Sequence, residues 1–186
     1  MQTAALEGGF SDAPVQSARA FRAVMTAMAR PADIHTLRGA APPAPLSPAA
    51  GAIVLTLCDP ETPLYLAPSY DLAPLRDWIT FHTGAPLVPA AQAQFAIGAW
   101  GELPLGAFRI GTAEYPDRSA TVIVEMAQIE ARGAALSGAG IKDEAQLSLP
   151  ETAAFQSNAA LFPLGLDFFF TAGAQVAALP RSTKVR

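Results

Sequence analysis

Two polar segments of the sequence carry side chains suited to binding an anion. His82 and Thr83 close a predicted helix, while Arg118 and Ser119 lead into the most β-prone run of the chain. An arginine guanidinium can grip a phosphate or carboxylate as a fork, and the two hydroxyl groups can donate hydrogen bonds to it. The same residues also fit a structural role, with His82 capping a helix end and Arg118 paired with Asp117 in a turn. The sequence leaves both interpretations open.

The sequence offers few side chains that could bind a metal ion or act as a thiol nucleophile. The chain has two histidines, His35 and His82, and one cysteine, Cys58, and they form no spacing typical of a metal site. A nucleophilic Cys58–His82 pair is a weaker hypothesis, because a lone cysteine is more often a small apolar filler. The adjacent Asp59 would also raise the pKa of the thiol. We therefore expect neither a metal ion nor a thiol nucleophile.

The usual cofactor motifs do not occur in the sequence. Neither the dinucleotide fingerprint G-x-G-x-x-G nor the phosphate loop G-x-x-x-x-G-K-[ST] occurs. An enzyme that uses pyridoxal phosphate (PLP) needs a lysine for the Schiff base. The two lysines, Lys142 and Lys184, fall in a polar loop and in the C-terminal tail. The sequence predicts no cofactor.

The first predicted helix has two contrasting faces and ends before Pro31. Four residues at helical spacing form its apolar face: Phe21, Val24, Met25 and Met28. Three arginines fall on the opposite face: Arg19, Arg22 and Arg30. This arginine stripe is either an ordinary solvated surface or a docking face for an acidic partner.

The remaining periodicity predicts alternating strands and helices. The predicted strands cover 52–57, 63–66, 121–124, 166–170 and 175–179, with weaker candidates at 95–100 and 108–110. Predicted helices cover 71–81, capped by Gly84, and 148–161, opened by a capping box at 148–151. This order predicts an α/β fold, a single domain at 14–186 with a mixed β-sheet flanked by helices, preceded by a loose leader at 1–13.

Composition limits the classes of partner. The 186 residues are 51% hydrophobic and 15% charged, and the formal net charge is −4. An acidic balance argues against a nucleic-acid surface. No run approaches the roughly 20 apolar residues that a membrane helix needs, and the N-terminus lacks the basic and apolar regions of a signal peptide. We expect a cytoplasmic protein that binds neither nucleic acid nor membrane.

Six segments, in order, resemble the H subunit family of the carbon–phosphorus lyase core complex. They are RAFRAVMTAMARP at 19–31, DPETPLYL at 59–66, FHTGAPL at 81–87, LSGAGI at 136–141, FPLGLD at 162–167 and LPRST at 179–183. Together they extend over nearly the whole chain. No one segment is diagnostic, and the match rests on their number and order.

The resemblance implies a role in phosphonate utilisation together with the G, I, J and L subunits. In such a system a phosphonate displaces adenine from ATP to give a ribose 1-phosphonate 5-triphosphate. The family resemblance also implies a fold similar to PLP-dependent transferases but without PLP, and a homodimer when the subunit is isolated. It supplies no catalytic residues that could be assigned to this sequence.

Two hypotheses follow. In the first, the chain is a structural or regulatory subunit of a transferase complex, the ribose 1-methylphosphonate 5-triphosphate synthase, and is inactive alone. In the second, it binds the nucleotide or phosphonate itself, in a cleft near His82 and Arg118. The shortage of lysines, metal ligands and phosphate loops favours the first.

Overall fold

The computed structural model describes residues 7–186, within which the chain forms four α-helices and nine β-strands. The helices are α1 (Ala13–Ala29), α2 (Pro48–Leu57), α3 (Ala73–Thr83) and α4 (Ala153–Ala159). The strands are β1 (His35–Thr36), β2 (Leu64–Leu66), β3 (Phe95–Ala99), β4 (Thr121–Glu125), β5 (Ala134–Ser137), β6 (Ala145–Leu147), β7 (Asp167–Ala172), β8 (Gln175–Leu179) and β9 (Lys184–Val185). None of these helices is both long and apolar enough to span a membrane.

The main sheet has six strands in the order β1-β8-β7-β4-β3-β2. Strands β2, β3, β4 and β7 run parallel, whereas β8 and β1 are antiparallel to their neighbours. The predicted α/β class with a mixed sheet is therefore confirmed. The central strand β4 is buried on both faces, as its β-branched residues Val122 and Ile123 favour.

A second, three-stranded antiparallel sheet in the order β6-β5-β9 was not predicted. Its strands are short and poor in β-branched residues: β5 reads Ala-Ala-Leu-Ser and β6 reads Ala-Gln-Leu. Their stability comes from pairing, for example Leu136 with Ala145 on one side and with Val185 on the other. Local sequence carries little of that information.

Helix α2 contains the residues predicted to be a buried strand at 52–57, so that prediction was wrong. The Ser47 side chain accepts a hydrogen bond from the Ala50 amide at 3.2 Å, and Pro48 occupies the first turn. All residues at 49–54 are buried. A helix buried on all sides gives an apolar run without periodicity, which does not distinguish it from a buried strand.

The prediction for the apolar face of α1 was wrong in part, since Val24 and Met28 pack against the core but Phe21 and Met25 do not. The buried residues are Ala20, Val24 and Ala27, while Phe21 and Met25 are 48% and 53% exposed. Ala20 and Ala27 let α1 approach α2 and β8 closely, and they turn Phe21 and Met25 toward the outside. The exposed surface of α1 therefore combines an apolar pair with the arginine stripe.

Other predicted elements match the structure. Helix α3 ends at Gly84, which adopts the left-handed conformation with φ 69° and donates its N–H to the Thr80 carbonyl. Strands β7 and β8 form the predicted closing pair around Gly173, whose φ is 55°. The predicted capping box at 148–151 was wrong, because α4 begins at Ala153 and the Ser148 hydroxyl accepts a hydrogen bond from the Glu130 amide instead.

The predicted leader lies partly outside the described residues, at 1–6. Of the remainder, the Glu7 carbonyl accepts a hydrogen bond from Trp78 Nε1 at 2.9 Å, and the Gly8 carbonyl accepts one from the Ala41 amide at 2.8 Å. Asp12 caps α1. Residues 7–12 thus contact α3 and the segment that precedes α2.

Candidate functional site

A polar cleft of about 500 Å³ lies where the parallel strands β3 and β4 begin. Phe95, Thr121 and Asp167 stand side by side in register at the amino ends of β3, β4 and β7. The cleft is lined by Phe95 and six polar residues: Gln94, Arg109, Asp117, Arg118, Ser119 and Thr121. Its two arginines make it a candidate anion site.

Two short antiparallel segments, 109–111 and 118–120, form one wall of the cleft, and we call them the arginine ribbon. Ile110 pairs with Ser119, and the Ala120 amide donates to the Arg109 carbonyl at 2.8 Å. Gly111 is required at the turn, since its φ is 82° and a Cβ there would lie 2.7 Å from the Pro116 carbonyl oxygen. The weak strand predicted at 108–110 is thus only a single bridge.

Arg118 is exposed and stacked on an aromatic ring. Its guanidinium carbon lies 3.9 Å from the centroid of Tyr115. The three ion pairs within residues 7–186 use Arg76, Arg132 and Arg181, so the Asp117–Arg118 pair considered from the sequence is not among them. The stacking orients the guanidinium and leaves its N–H groups available to a ligand.

Ser119 is buried and contacts Arg181, a residue that sequence reasoning missed. The Arg181 guanidinium donates to the Ser119 hydroxyl, to the Pro116 carbonyl at 2.5 Å and to both carboxylate oxygens of Asp167. Its side chain is 13% exposed. The sequence did contain a clue to this ion pair. Arg181 comes just after β8, which pairs with β7, and β7 begins at Asp167.

The structure places His82 and Thr83 away from this cleft. His82 Nε2 lies 3.3 Å from the Glu7 carbonyl oxygen, and its ring packs against Trp78 with centroids 5.1 Å apart. The Thr83 hydroxyl donates to the Ile79 carbonyl at 2.7 Å and accepts from the Ala85 amide. Of the four predicted ligand-binding residues, only Arg118 and Ser119 line the cleft.

At the opposite edge of the sheet, where parallel strands end and ligands often bind, Glu125 contacts the start of α2. Glu125, at the end of β4, accepts a hydrogen bond from the Ser47 amide at 2.8 Å, at the start of α2. Burial raises the pKa of the Glu125 carboxyl. Burial, followed by the charges of Glu125 and Glu102, raises the pKa of the Tyr70 phenol to about 12.

Cys58 lies at the end of α2 and is 7% exposed. Burial, with a smaller effect from Asp59, raises the pKa of its thiol to about 12. A thiol that stays protonated near neutral pH is a poor nucleophile. Within residues 7–186 no three histidine, cysteine, aspartate or glutamate side chains come together as metal ligands.

The chain is similar to known proteins along nearly its whole length. The family described as bacterial phosphonate metabolism protein (PhnH) matches residues 8–186, a range that contains α1, the arginine ribbon and Arg181. The chain belongs to the PhnH family. It is 39% identical to the alpha-D-ribose 1-methylphosphonate 5-triphosphate synthase subunit PhnH of Rhizobium meliloti (strain 1021), over 99% of this chain and 97% of that protein.

A second relative is the putative C-P lyase subunit protein HtxG of Stutzerimonas stutzeri. It is 29% identical, over 96% of this chain and 95% of that protein. Both relatives are described as subunits, and both are matched along nearly their whole length. The family resemblance drawn from the six sequence segments is confirmed.

Proposed function

We propose that this chain is the H subunit of an assembly that activates phosphonates, in which a phosphonate displaces adenine from ATP to give a ribose 1-phosphonate 5-triphosphate. The observation that carries the proposal is the PhnH-family match over residues 8–186, with a synthase subunit as a 39% identical relative. The partners are the G, I, J and L subunits, the site of action is the cytoplasm, and the isolated subunit forms a homodimer.

Within that assembly the chain is non-catalytic by itself. Two features support this role: the Cys58 thiol is buried and protonated, and both lysines, Lys142 and Lys184, are exposed and lie outside the cleft. The parallel strands flanked by helices accord with a fold similar to that of PLP-dependent transferases, as the family resemblance implies. A subunit of this kind holds other subunits in place and needs no cofactor.

The arginine stripe on α1 is the docking face for an acidic surface of a partner subunit. Arg19, Arg22 and Arg30 are all exposed, and none takes part in the ion pairs formed within residues 7–186. Phe21 lies beside Arg22, and both Phe21 and Met25 are about half exposed. Exposed apolar side chains next to unpaired cations suit a protein interface better than a free surface.

Arg22→Glu is expected to weaken capture of the partner subunits by at least about tenfold, because like charges facing each other at a contact cost several kcal/mol. The measurement is affinity capture of the tagged chain after co-expression with the G, I, J and L subunits. Arg132→Glu, the same reversal on another surface, is the control and should capture them as the wild type does. If the wild type captures none, the assembly proposal is wrong; if both variants capture normally, the stripe is ordinary surface.

A second candidate function has one observation in its favour. The cleft contains Arg118 and Ser119, and Arg118 is held by Tyr115 with its N–H groups available to solvent or ligand. In this role the subunit would bind nucleotide or phosphonate directly and contribute to transfer. His82 and Thr83 have no part in it, since their contacts lie elsewhere.

A further inference from the structure

We infer that the arginine ribbon is an oxyanion site, in which Arg109 and Arg118 together bind one phosphate or phosphonate group while Arg181 holds the ribbon in position. The inference deepens the second candidate function and rests on it only for the choice of a phosphonate as ligand. Arg109 and Arg181 have not been assigned such roles by the sequence or by the comparisons.

The pairing of the ribbon brings the two arginines to one cleft. Ile110 lies opposite Ser119, and the Ala120 amide donates to the Arg109 carbonyl at 2.8 Å. These contacts hold the two segments together, and Arg109 and Arg118 both line the same cleft. Both side chains are long and exposed. Two guanidinium groups in one cleft can converge on one tetrahedral anion.

Both guanidinium groups are available for binding. Neither Arg109 nor Arg118 belongs to the ion pairs within residues 7–186, and the Tyr115 ring holds the Arg118 group from one side. The cleft also contains Asp117, whose single negative charge is outnumbered by the two arginines. Gln94 and Thr121 complete a polar wall, joined by a hydrogen bond from the Thr121 amide to the Gln94 carbonyl at 2.8 Å.

Arg181 does not bind the anion in this account, because its charge is already neutralised by Asp167. Its contacts fix the far side of the ribbon. One terminal nitrogen donates to the Pro116 carbonyl at 2.5 Å and the other to the Ser119 hydroxyl, so the turn that carries Arg118 is held at both ends. Without these contacts the ribbon would be free to shift and the two arginines would no longer be held at one spacing.

Calorimetric titration of the full purified chain with inorganic tripolyphosphate, and separately with methylphosphonate, tests the site. We expect saturable binding by the wild type. Arg109→Ala and Arg118→Ala should each lower the affinity by about tenfold to a hundredfold, the loss of a charge-assisted hydrogen bond. Arg132→Ala removes the same side chain from another surface and should bind as the wild type does. Absence of binding by the wild type, or unchanged affinity in both ribbon variants, overturns the site.

Arg181→Lys tests positioning separately from folding. Lysine keeps the charge beside Asp167 but lacks the fork that reaches Ser119 and Pro116 together. We expect the variant to stay folded by circular dichroism while its affinity for tripolyphosphate falls several-fold at a temperature well below its Tm. A lower Tm with wild-type affinity would show that Arg181 acts on stability alone. Capture of partner subunits does not depend on this cleft, so failure of the anion site leaves the assembly proposal intact.

Discussion

Replacing Arg181 with alanine is expected to lower the free energy of unfolding by about 3 kcal/mol. The guanidinium is the partner of Asp167, Ser119 and Pro116, and the side chains of Arg181 and Asp167 are only 13% and 23% exposed. Removing one partner of a shielded ion pair leaves the other charge poorly solvated, which costs more than the pair itself contributes. The backbone N–H of residue 181 still reaches Asp167, so part of the contact survives. Urea unfolding measures the loss as a lower midpoint at constant slope.

Arg132→Ala is the matched control for this prediction. Arg132 also pairs with a carboxylate, Glu130, but its side chain is 70% exposed. Exposed pairs contribute at most about 1 kcal/mol, so the control should unfold close to the wild-type midpoint. Equal losses in Arg181→Ala and Arg132→Ala would show that the Arg181 network adds nothing beyond an ordinary surface pair.

Phe155→Ala is expected to lower the free energy of unfolding by about 3–5 kcal/mol. Phe155 is 1% exposed and is the buried residue of the seven-residue helix α4. Its ring lies 4.7 Å from that of Trp100 and 5.0 Å from that of Phe168, measured between centroids. Alanine would leave a cavity between the sheet and a helix too short to be stable without packing. Thermal unfolding should show a Tm lower by about 10 °C.

Two further variants serve as controls for the Phe155 prediction. Phe155→Leu keeps an apolar side chain at the site and should lose less stability than the alanine variant. Leu161→Ala, just beyond α4 and 46% exposed in the wild type, should change the free energy of unfolding by no more than about 0.5 kcal/mol. An unchanged midpoint for Phe155→Ala would mean that α4 is not held by this aromatic cluster.

Helices and strands were predicted correctly where their own residues favour the conformation that they adopt in the fold. Strand β4 is rich in β-branched residues and lies at the centre of the sheet, and α3 carries a glycine cap at Gly84. Helix α2 was predicted wrongly because its apolar run fits a buried helix as well as a buried strand. In α1 close packing of Ala20 and Ala27 turns the buried face away from Phe21 and Met25, although Val24 and Met28 were correctly predicted to face the core.

The cleft was predicted only in part for a related reason. Arg118 and Ser119 are neighbours in sequence and share one turn, so they remain together in the fold. His82 and Thr83 were joined to them by residue type alone, and the tertiary structure separates the two groups. Arg109 lines the cleft through the bridge between Ile110 and Ser119, and Arg181 contacts Ser119 and Pro116 behind it while paired with Asp167. Such pairings do not follow from local propensity.

Adenine release from ATP in the presence of methylphosphonate is the measurement that decides whether this chain acts as the H subunit of the assembly. The G, I, J and L subunits are co-expressed with and without this chain, and adenine is quantified for both preparations and for the chain alone. We expect release only with the chain present, recovery when the purified chain is added back, and none from the chain alone. Full release without the chain would contradict its place in the assembly, and release by the chain alone would contradict its non-catalytic role.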